Sequence, residues 1–259
     1  MKIIDWNISY NHAAGPKVEL LKKVIDNDSY IAILQEVTPV QYEVIKKRFE
    51  NARYSLDYRK PGKFDTKQRQ LGIAIITSDD IIIKQADVLS RCLLPDRTLV
   101  VDVDYKGHTL RIIGLHSITG VSHKKAKSMQ FLSFAESIDE LQPDIVAFDA
   151  NEPAIDHYDI EEMEFFDNQD HGKGAETFFK TLRETGLQDV YLVNYDIEKY
   201  IKGEPLTTSH RFAVNNKSKR YDFIFINKDL VALQSDYLYD EAVRAGSDHA
   251  IICSEIDIK

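Results

Sequence analysis

IIDWNISYNHAAGPKVELLKKVIDNDSYIAILQEVTPVQYEVIKKRF, residues 3–49, decides the fold class. Ile3 to Ile8 is a short apolar run of strand type, with Trp6 expected in the core beside Asn7. Val18, Leu21, Val24 and Ile25 recur at helical spacing. Tyr30 to Leu34 is a second apolar strand. Thr38 then offers an N-cap, Pro39 fits the first helical position, and Gln41 can close a capping box on a helix expected to reach about Phe49. Strand, helix, strand, helix is the order of a crossover unit, so the chain is of the α/β class.

The middle changes character. Leu71 to Thr77, Ile81 to Leu89, Thr98 to Tyr105 and Thr109 to His116 are strand candidates with short gaps. Val101, Val103 and Tyr105 alternate with Asp102 and Asp104, and Lys106-Gly107 supplies a turn, which predicts antiparallel hairpins. Ser122 is placed to cap a helix running to about Leu141, with Met129, Leu132, Ala135 and Ile138 on one face. Asp144 to Phe148 is strand, Ala175 to Thr185 is helix stopped by Gly186, and Tyr221 to Ile226 and Ala250 to Ile256 are the last strands. Between them, Asn151 to Lys173 is a long acidic stretch without a clear period, the kind of loop that usually carries function. No repeat or composition break divides the chain, so residues 1–259 are expected to form one domain of two packed sheets flanked by helices.

With 259 residues, 43% hydrophobic, the chain can bury a large core. The net charge of −9 argues against broad charge-driven binding to nucleic acid, though not against a local basic groove. Cys92 and Cys253 form no spaced pattern, which disfavours a disulfide scaffold or a structural zinc site. The start enters a strand at once, with no leader-like segment, and no run reaches the ~18 apolar residues of a membrane span. A cytoplasmic protein is the expectation.

Polar residues sit at the ends of the apolar runs: Asn7 in DWNIS, Glu36 in ILQEV, His116 in IIGLHS, Asp149 and Asn151 in IVAFDAN, Asp222 in RYDFIFI, and Asp248 with His249 in SDHAII. A charge at the end of a buried strand is costly unless something neutralises it. Gathered at one sheet edge, these acids, amides and imidazoles would suit a hard divalent cation and a phosphate ester. Each residue alone has a plainer reading: Asn7 as a strand-end cap, Glu36 as a solvated strand end, Asp248-His249 as a turn. Asp222, between Tyr221 and Phe223, is harder to place without a partner.

Taken in order, WN, QE, LH, D-A-N, RYDFIF and SDH resemble the endonuclease/exonuclease/phosphatase superfamily over nearly the full chain, from Asn7 to His249. The resemblance implies a DNase I-like four-layer α/β/β/α sandwich with two mixed, mainly antiparallel sheets, and hydrolysis of a phosphoester with one or two Mg²⁺ ions, or Mn²⁺. It implies Glu36 as the principal metal ligand, with Asn7 and Asp248 on the metal side. Asp149 would orient or deprotonate the attacking water. Asn151, expected on the same side of an extended strand two residues on, would hold the phosphate, His249 would donate to it, Asp222 would fix the His249 tautomer, and His116 would contact phosphate. The third motif departs from the family's Gly-Asp-Phe-Asn, reading Phe148-Asp149-Ala150-Asn151, so the pocket floor is expected to differ.

Weaker candidates lie nearby. Arg220 would either brace the site or touch phosphate, and Arg97 reads as a surface ion pair. Ser209 and His210 read as solvated loop sooner than as groove lining, though His210 is kept as a substrate-binding candidate. His123, Lys124, Lys125 and Lys127 open a helix, where positive charge is unfavourable unless a phosphate is near, and a solvated end is the plainer reading. Arg59, in Tyr58-Arg59-Lys60, and the run from Lys67 to Arg69 would form a basic loop suited to a nucleic-acid backbone or an anionic headgroup. The leading expectation is a nuclease acting on DNA or RNA. The alternative is a phosphatase or phospholipase C-like hydrolase of inositol phosphates, lipid headgroups or another small phosphoester. A non-catalytic binding sandwich is a third class, disfavoured because a binding module has no use for Glu36, Asp149, Asp222 and His249 together.

Overall fold

The computed structural model describes every residue except 27, 60–69 and 170–171, with the backbone alone at 122–124 and 169. Strand β1 (Lys2–Asn7), helix α1 (Ala14–Ile25), strand β2 (Tyr30–Val37) and helix α2 (Pro39–Lys46) form the opening crossover, and β1 pairs parallel with β2. The capping box at α2 is present: Gln41 N donates to Thr38 Oγ1, and Gln41 Oε1 accepts from Thr38 N. The helix stops at Lys46, a turn short of Phe49.

Strand β3 (Ala52–Tyr54), the short helix α3 (Ser55–Tyr58) and β4 (Gly72–Thr77) complete one half. The antiparallel run β5 (Ile82–Asp87), β6 (Thr98–Tyr105) and β7 (His108–His116) opens the other. Helix α4 (Gly120–Leu141) crosses over to β8 (Ile145–Asp149), which pairs parallel with β7. Helix α5 (Gly174–Glu184), β9 (Gln188–Asp189), β10 (His210–Arg211), β11 (Ser218–Lys219), β12 (Asp222–Ile226), β13 (Leu230–Leu238), α6 (Tyr239–Arg244) and β14 (Ile251–Ile258) follow.

Two six-stranded sheets result, in the orders β13-β14-β1-β2-β4-β3 and β5-β6-β7-β8-β12-β9, and β10-β11 is a separate small hairpin. Each large sheet has one parallel pair among antiparallel ones. The sheets meet through Ile3, Ile31, Ile33, Ile73 and Ile75 on one side and Leu99, Val101, Val103, Ile112, Ala147 and Ile224 on the other. Gly114 of β7 permits the close approach, because a Cβ there would lie 2.8 Å from Ile33 Cγ2. The outer face of the first sheet packs on α1 and α2 through Trp6, Val18, Leu21 and Ile45, and that of the second on α4 and α5 through Phe131, Phe134, Phe178 and Phe179. These are the four layers of an α/β/β/α sandwich.

Two expectations need correction. Helix α4 starts at Gly120, so residue 122 lies inside it and does not cap it. Its apolar face is also rotated: Met129 and Leu132 are exposed, while Phe131, Phe134, Ala135 and Ile138 are buried. Aromatic packing against Phe178 sets that rotation, with ring centroids 5.5 Å from Phe131 and 5.9 Å from Phe134.

Among the described residues, no helix is long and apolar enough to cross a membrane. Cys92 and Cys253 are both free thiols.

Candidate active site

The parallel pairs position the site. In each, both strands run the same way, so their C-terminal ends finish at one edge. Asn7 ends β1, and Glu36 lies next to the end of β2. His116 ends β7 and Asp149 ends β8, paired across the ladder, and Asp149 also pairs with Asp222 at the start of antiparallel β12. His116, Asp149 and Asp222 therefore occupy one row of the second sheet.

Asp149 is the hub. Its Oδ1 accepts from Asn151 N at 2.8 Å, and its Oδ2 accepts from Asn7 Nδ2 at 2.9 Å and Asn151 Nδ2 at 3.3 Å. The same Oδ2 lies 3.8 Å from His116 Nε2 and 4.0 Å from His249 Nε2. Burial pushes the carboxyl up to about 7; the nearby His249 opposes this and the Asp222 charge adds to it.

Glu36 sits where the β2–β4 register shifts, with a left-handed φ of 56°. The bulge re-aims its side chain out of the strand alternation. Oε2 accepts from Tyr10 N at 3.2 Å, and Oε1 lies 3.7 Å from His116 Nε2. Burial raises this carboxyl too. Two carboxylates thus flank a single imidazole nitrogen.

Asn151 does not continue the strand as expected. β8 ends at Asp149, and Asn151 adopts a φ of 50°. That turn brings its amide back onto Asp149, and its Nδ2 also donates to Ser117 O at 3.2 Å. The carbonyl of Asn151 accepts from Lys127 Nζ at 2.8 Å, and Lys127 pairs with buried Glu152 at 2.7 Å. Lys127 is therefore a buried strut of the site and not part of a solvated helix end.

His249 is tied by Nδ1 to Asp222 Oδ2 at 2.8 Å. Burial works against its charge, but Asp222 and Asp149 outweigh burial and hold the imidazole well above its usual pKa. Its backbone is fixed by Trp6 Nε1, which donates to His249 O at 3.2 Å, and by Ser247 Oγ, which accepts from His249 N at 3.1 Å. His116 is the opposite case. Burial, then the Arg97 charge, holds it well below its usual value. Arg97 Nη1 lies 2.8 Å from His116 Nδ1, and a guanidinium only donates, so Nδ1 accepts and the ring proton sits on Nε2, facing Glu36 and Asp149.

Other candidates divide. Asp248 is exposed and lines the cleft with His210. Arg220 is fully buried, with Nη2 2.7 Å from Asp189 Oδ2 and Nε 3.2 Å from Asp156 Oδ2. Of its two expected roles, bracing and contact with phosphate, the buried position fits the first and corrects the second. Arg59 is exposed after α3, apart from the cleft-lining residues. Lys60 and the run 67–69 lie outside the described residues. Arg97 is no surface ion pair, and Ser209 no solvated loop: fully buried, its Oγ accepts from Tyr221 N and Asp222 N at 2.8 and 3.2 Å.

The cleft encloses about 640 Å³ and includes Glu36, Asp149, Asn151 and His249. One wall is aromatic: Phe166, His210, Phe212 and Tyr221, with His210 and Tyr221 stacked at 5.7 Å. Glu36, Asp149, Asp248 and the amides of Asn7 and Asn151 are oxygen donors, and burial raises both the Glu36 and the Asp149 carboxyl, a cost that a bound cation would offset. The set fits a hard divalent cation.

This sandwich, with its site at the strand ends, is the endonuclease/exonuclease/phosphatase fold. No protein-family model and no curated protein matches the chain in sequence. Solved structures match it along its length. An endonuclease/exonuclease/phosphatase from Bacteroides vulgatus is 14% identical with a TM-score of 0.65, covering 100% of this chain and 98% of that one. The 3′ phosphatase NExo from Neisseria, bound to a product DNA hairpin, is 18% identical at a TM-score of 0.63, covering 99% of each chain. A mannosyl-6-phosphatase from Bacteroides thetaiotaomicron is 16% identical at 0.59, covering 100% of both.

Proposed function

We propose that the chain is a metal-dependent phosphoester hydrolase, working as one domain and acting on DNA or RNA. The observation that carries this is the meeting of Glu36, His116, Asp149, Asn151, Asp222 and His249, from distant parts of the sequence, around a single cleft. Glu36 and Asp149, with Asn7 and Asp248 on the same side, would hold Mg²⁺ or Mn²⁺, which when bound offsets charge on the phosphate oxygens. Asp149, clamped at both oxygens and raised in pKa, accepts the proton of the attacking water. His249, kept protonated by Asp222, donates to a non-bridging phosphate oxygen where negative charge grows. Neutral His116 offers its Nε2–H from the opposite side, and Asn151 supports the phosphate with its amide. The wall of Phe166, Phe212 and Tyr221 suits the flat face of a sugar or base attached to that phosphate. Two free thiols are in keeping with a cytoplasmic setting.

A second reading is a phosphatase or phospholipase C-like enzyme of a small phosphoester. The net charge of −9 favours it. A product-mapped assay with Mg²⁺ on abasic duplex, single-stranded DNA, RNA, inositol phosphates and sphingomyelin decides between them, with Asp149→Ala as control. Cleavage of a nucleic acid that vanishes in the variant is expected. Turnover of small esters alone moves the assignment to the second reading, and no turnover of any substrate refutes both.

A further inference from the structure

Between β9 and β10 the chain loops against β13, and together they enclose a second pocket of about 540 Å³ that shares no lining residue with the catalytic cleft. Hydrogen bonds tie its walls. Asn194 Nδ2 donates to Leu233 O at 2.9 Å, and Leu206 N donates to the buried Asp156 carboxylate at 2.9 Å. Three tyrosines line it. Tyr191 meets Tyr237 edge to face, with centroids 5.1 Å apart and planes at 79°, and lies 5.8 Å from Tyr195 at 41°. The hydroxyls of Tyr237 and Tyr191 are engaged inside the fold, on Asp222 O at 2.8 Å and Leu206 O at 3.4 Å. These side chains therefore offer a ligand their rings and not a polar tip. The charges on the lining are unbalanced. Asp196 pairs with Lys199 at 3.3 Å, but Glu204 and Asp236 make no ion pair among the described residues. Arg220, whose Cζ lies 5.8 Å from the Tyr191 ring centre, is offset by Asp156 and Asp189. Ser235 adds a buried hydroxyl with no hydrogen-bond partner among the described residues, and Ile201, 66% exposed, adds an apolar rim.

We propose that this pocket binds a small methylated ammonium cation of the choline type. Aromatic faces attract a cation through the ring quadrupole, and cages of aromatic side chains recognise quaternary ammonium groups in this way. The unpaired Glu204 and Asp236 carboxylates add attraction of the right sign. They also disfavour a nucleotide, whose base would suit the rings but whose phosphate they repel. Methyl groups gain by leaving water and can pack on the rings and on Ile201, whereas a bare ammonium would give up its hydration. Ser235 Oγ is a partner for the oxygen that a choline-type molecule carries. The Tyr237 hydroxyl on Asp222 O joins the pocket to the catalytic row, but the binding does not depend on the proposed function.

The test is isothermal titration of the full chain with choline and with the neutral isostere in which carbon replaces the nitrogen. Choline is expected to bind at least about tenfold more tightly than the isostere. Tyr195→Ala and Asp236→Asn, checked for folding by circular dichroism, should each weaken choline by about fivefold or more. Asp149→Ala, in the catalytic cleft, should bind choline as the wild type does. Equal binding of the two probes, wild-type affinity in both Tyr195→Ala and Asp236→Asn, loss of binding in Asp149→Ala, or no binding of choline by the wild type would each overturn the site. Co-sedimentation with phosphatidylcholine vesicles that free choline reverses supports a lipid headgroup as the source of the cation, and its absence supports a soluble one. Failure of the hydrolysis assay bears on the proposed function alone, because this titration needs no turnover.

Discussion

Replacing Asp222 by Asn tests the core of the catalytic reading. The substitution keeps the shape of the side chain and removes its charge. In the native protein the Asp222–His249 contact is a fully buried, charge-assisted hydrogen bond of 2.8 Å. Such bonds contribute about 1.5–3 kcal/mol. If the imidazolium is needed where negative charge develops, kcat should fall by about 10- to 150-fold. The pH profile adds a sharper mark. Asp222 helps hold His249 above its usual pKa and also helps push Asp149 up. Without that charge both values fall, so the acid and base limbs of the rate profile should slide together toward lower pH. The loss of rate should accordingly be greater at pH 8 than at pH 6. The assay is kcat against pH on whichever phosphoester the wild type cleaves, with NMR titration of the His249 ring in parallel. A variant with wild-type kcat, or one in which the ring still titrates where it does in the native protein, refutes the assignment of Asp222 as the group that charges His249.

Other expectations follow from the same geometry. Mg²⁺ or Mn²⁺ at ~100 times its dissociation constant should stabilise the fold by about 2.7 kcal/mol, or roughly 5–10 °C in a melting curve for a chain of this size; Glu36→Gln should abolish the shift. The shift should also grow with pH. Asp5, Glu36 and Asp149 all have carboxyls raised by burial, so their contribution to stability is present below the unfolded value near 4 and is lost as pH rises through their folded values. A cation favours the ionised forms, so melting with and without Mg²⁺ should differ more at pH 8 than at pH 5, and equal shifts would count against a preformed site. Arg97→Met frees His116 Nδ1 and should cost about tenfold in kcat with little change in urea midpoint. Arg220→Met leaves Asp156 and Asp189 unpaired in the interior and should cost about 3–5 kcal/mol in urea unfolding, while KM stays put; a raised KM at native stability would restore the substrate role.

How much of this was legible in the sequence depended on range. Local chemistry was plain: Thr38, Pro39 and Gln41 announce the start of α2, and alternation along Thr98–Tyr105 marks all of β6. The motif order also pointed to the fold that the strand pairing shows. Signals that depend on distant partners were not visible. Nothing near Arg97 says that its guanidinium meets His116, nineteen positions on. Ser209 looks like any loop serine until its hydroxyl is seen to hold the start of β12. The face of α4 was misjudged because Met129 and Leu132 fit the helical period as well as Phe131 and Phe134 do, and only α5 chooses between them. Strand β13 was missed because only its first residues alternate cleanly between buried and open positions.

Two backbone irregularities do what regular strands cannot. A strand sends alternate side chains to opposite faces, so the ends of β2 and β8 could not by themselves turn Glu36 and Asn151 toward a common point. Both residues adopt a left-handed φ, which costs about 1–3 kcal/mol each for a side chain other than glycine. The structure holds them there. Tyr10 N–H donates to the Glu36 carboxylate, Lys127 Nζ donates to the Asn151 carbonyl, and Asp149 Oδ2 and Ser117 O accept from the Asn151 amide. The strain and its restraints coincide with the places where the phosphoester would bind. Substitution of Lys127 would remove only the restraint on the Asn151 carbonyl, and the bonds to Asp149 and Ser117 would still hold the turn, so the left-handed backbone is over-determined at this point.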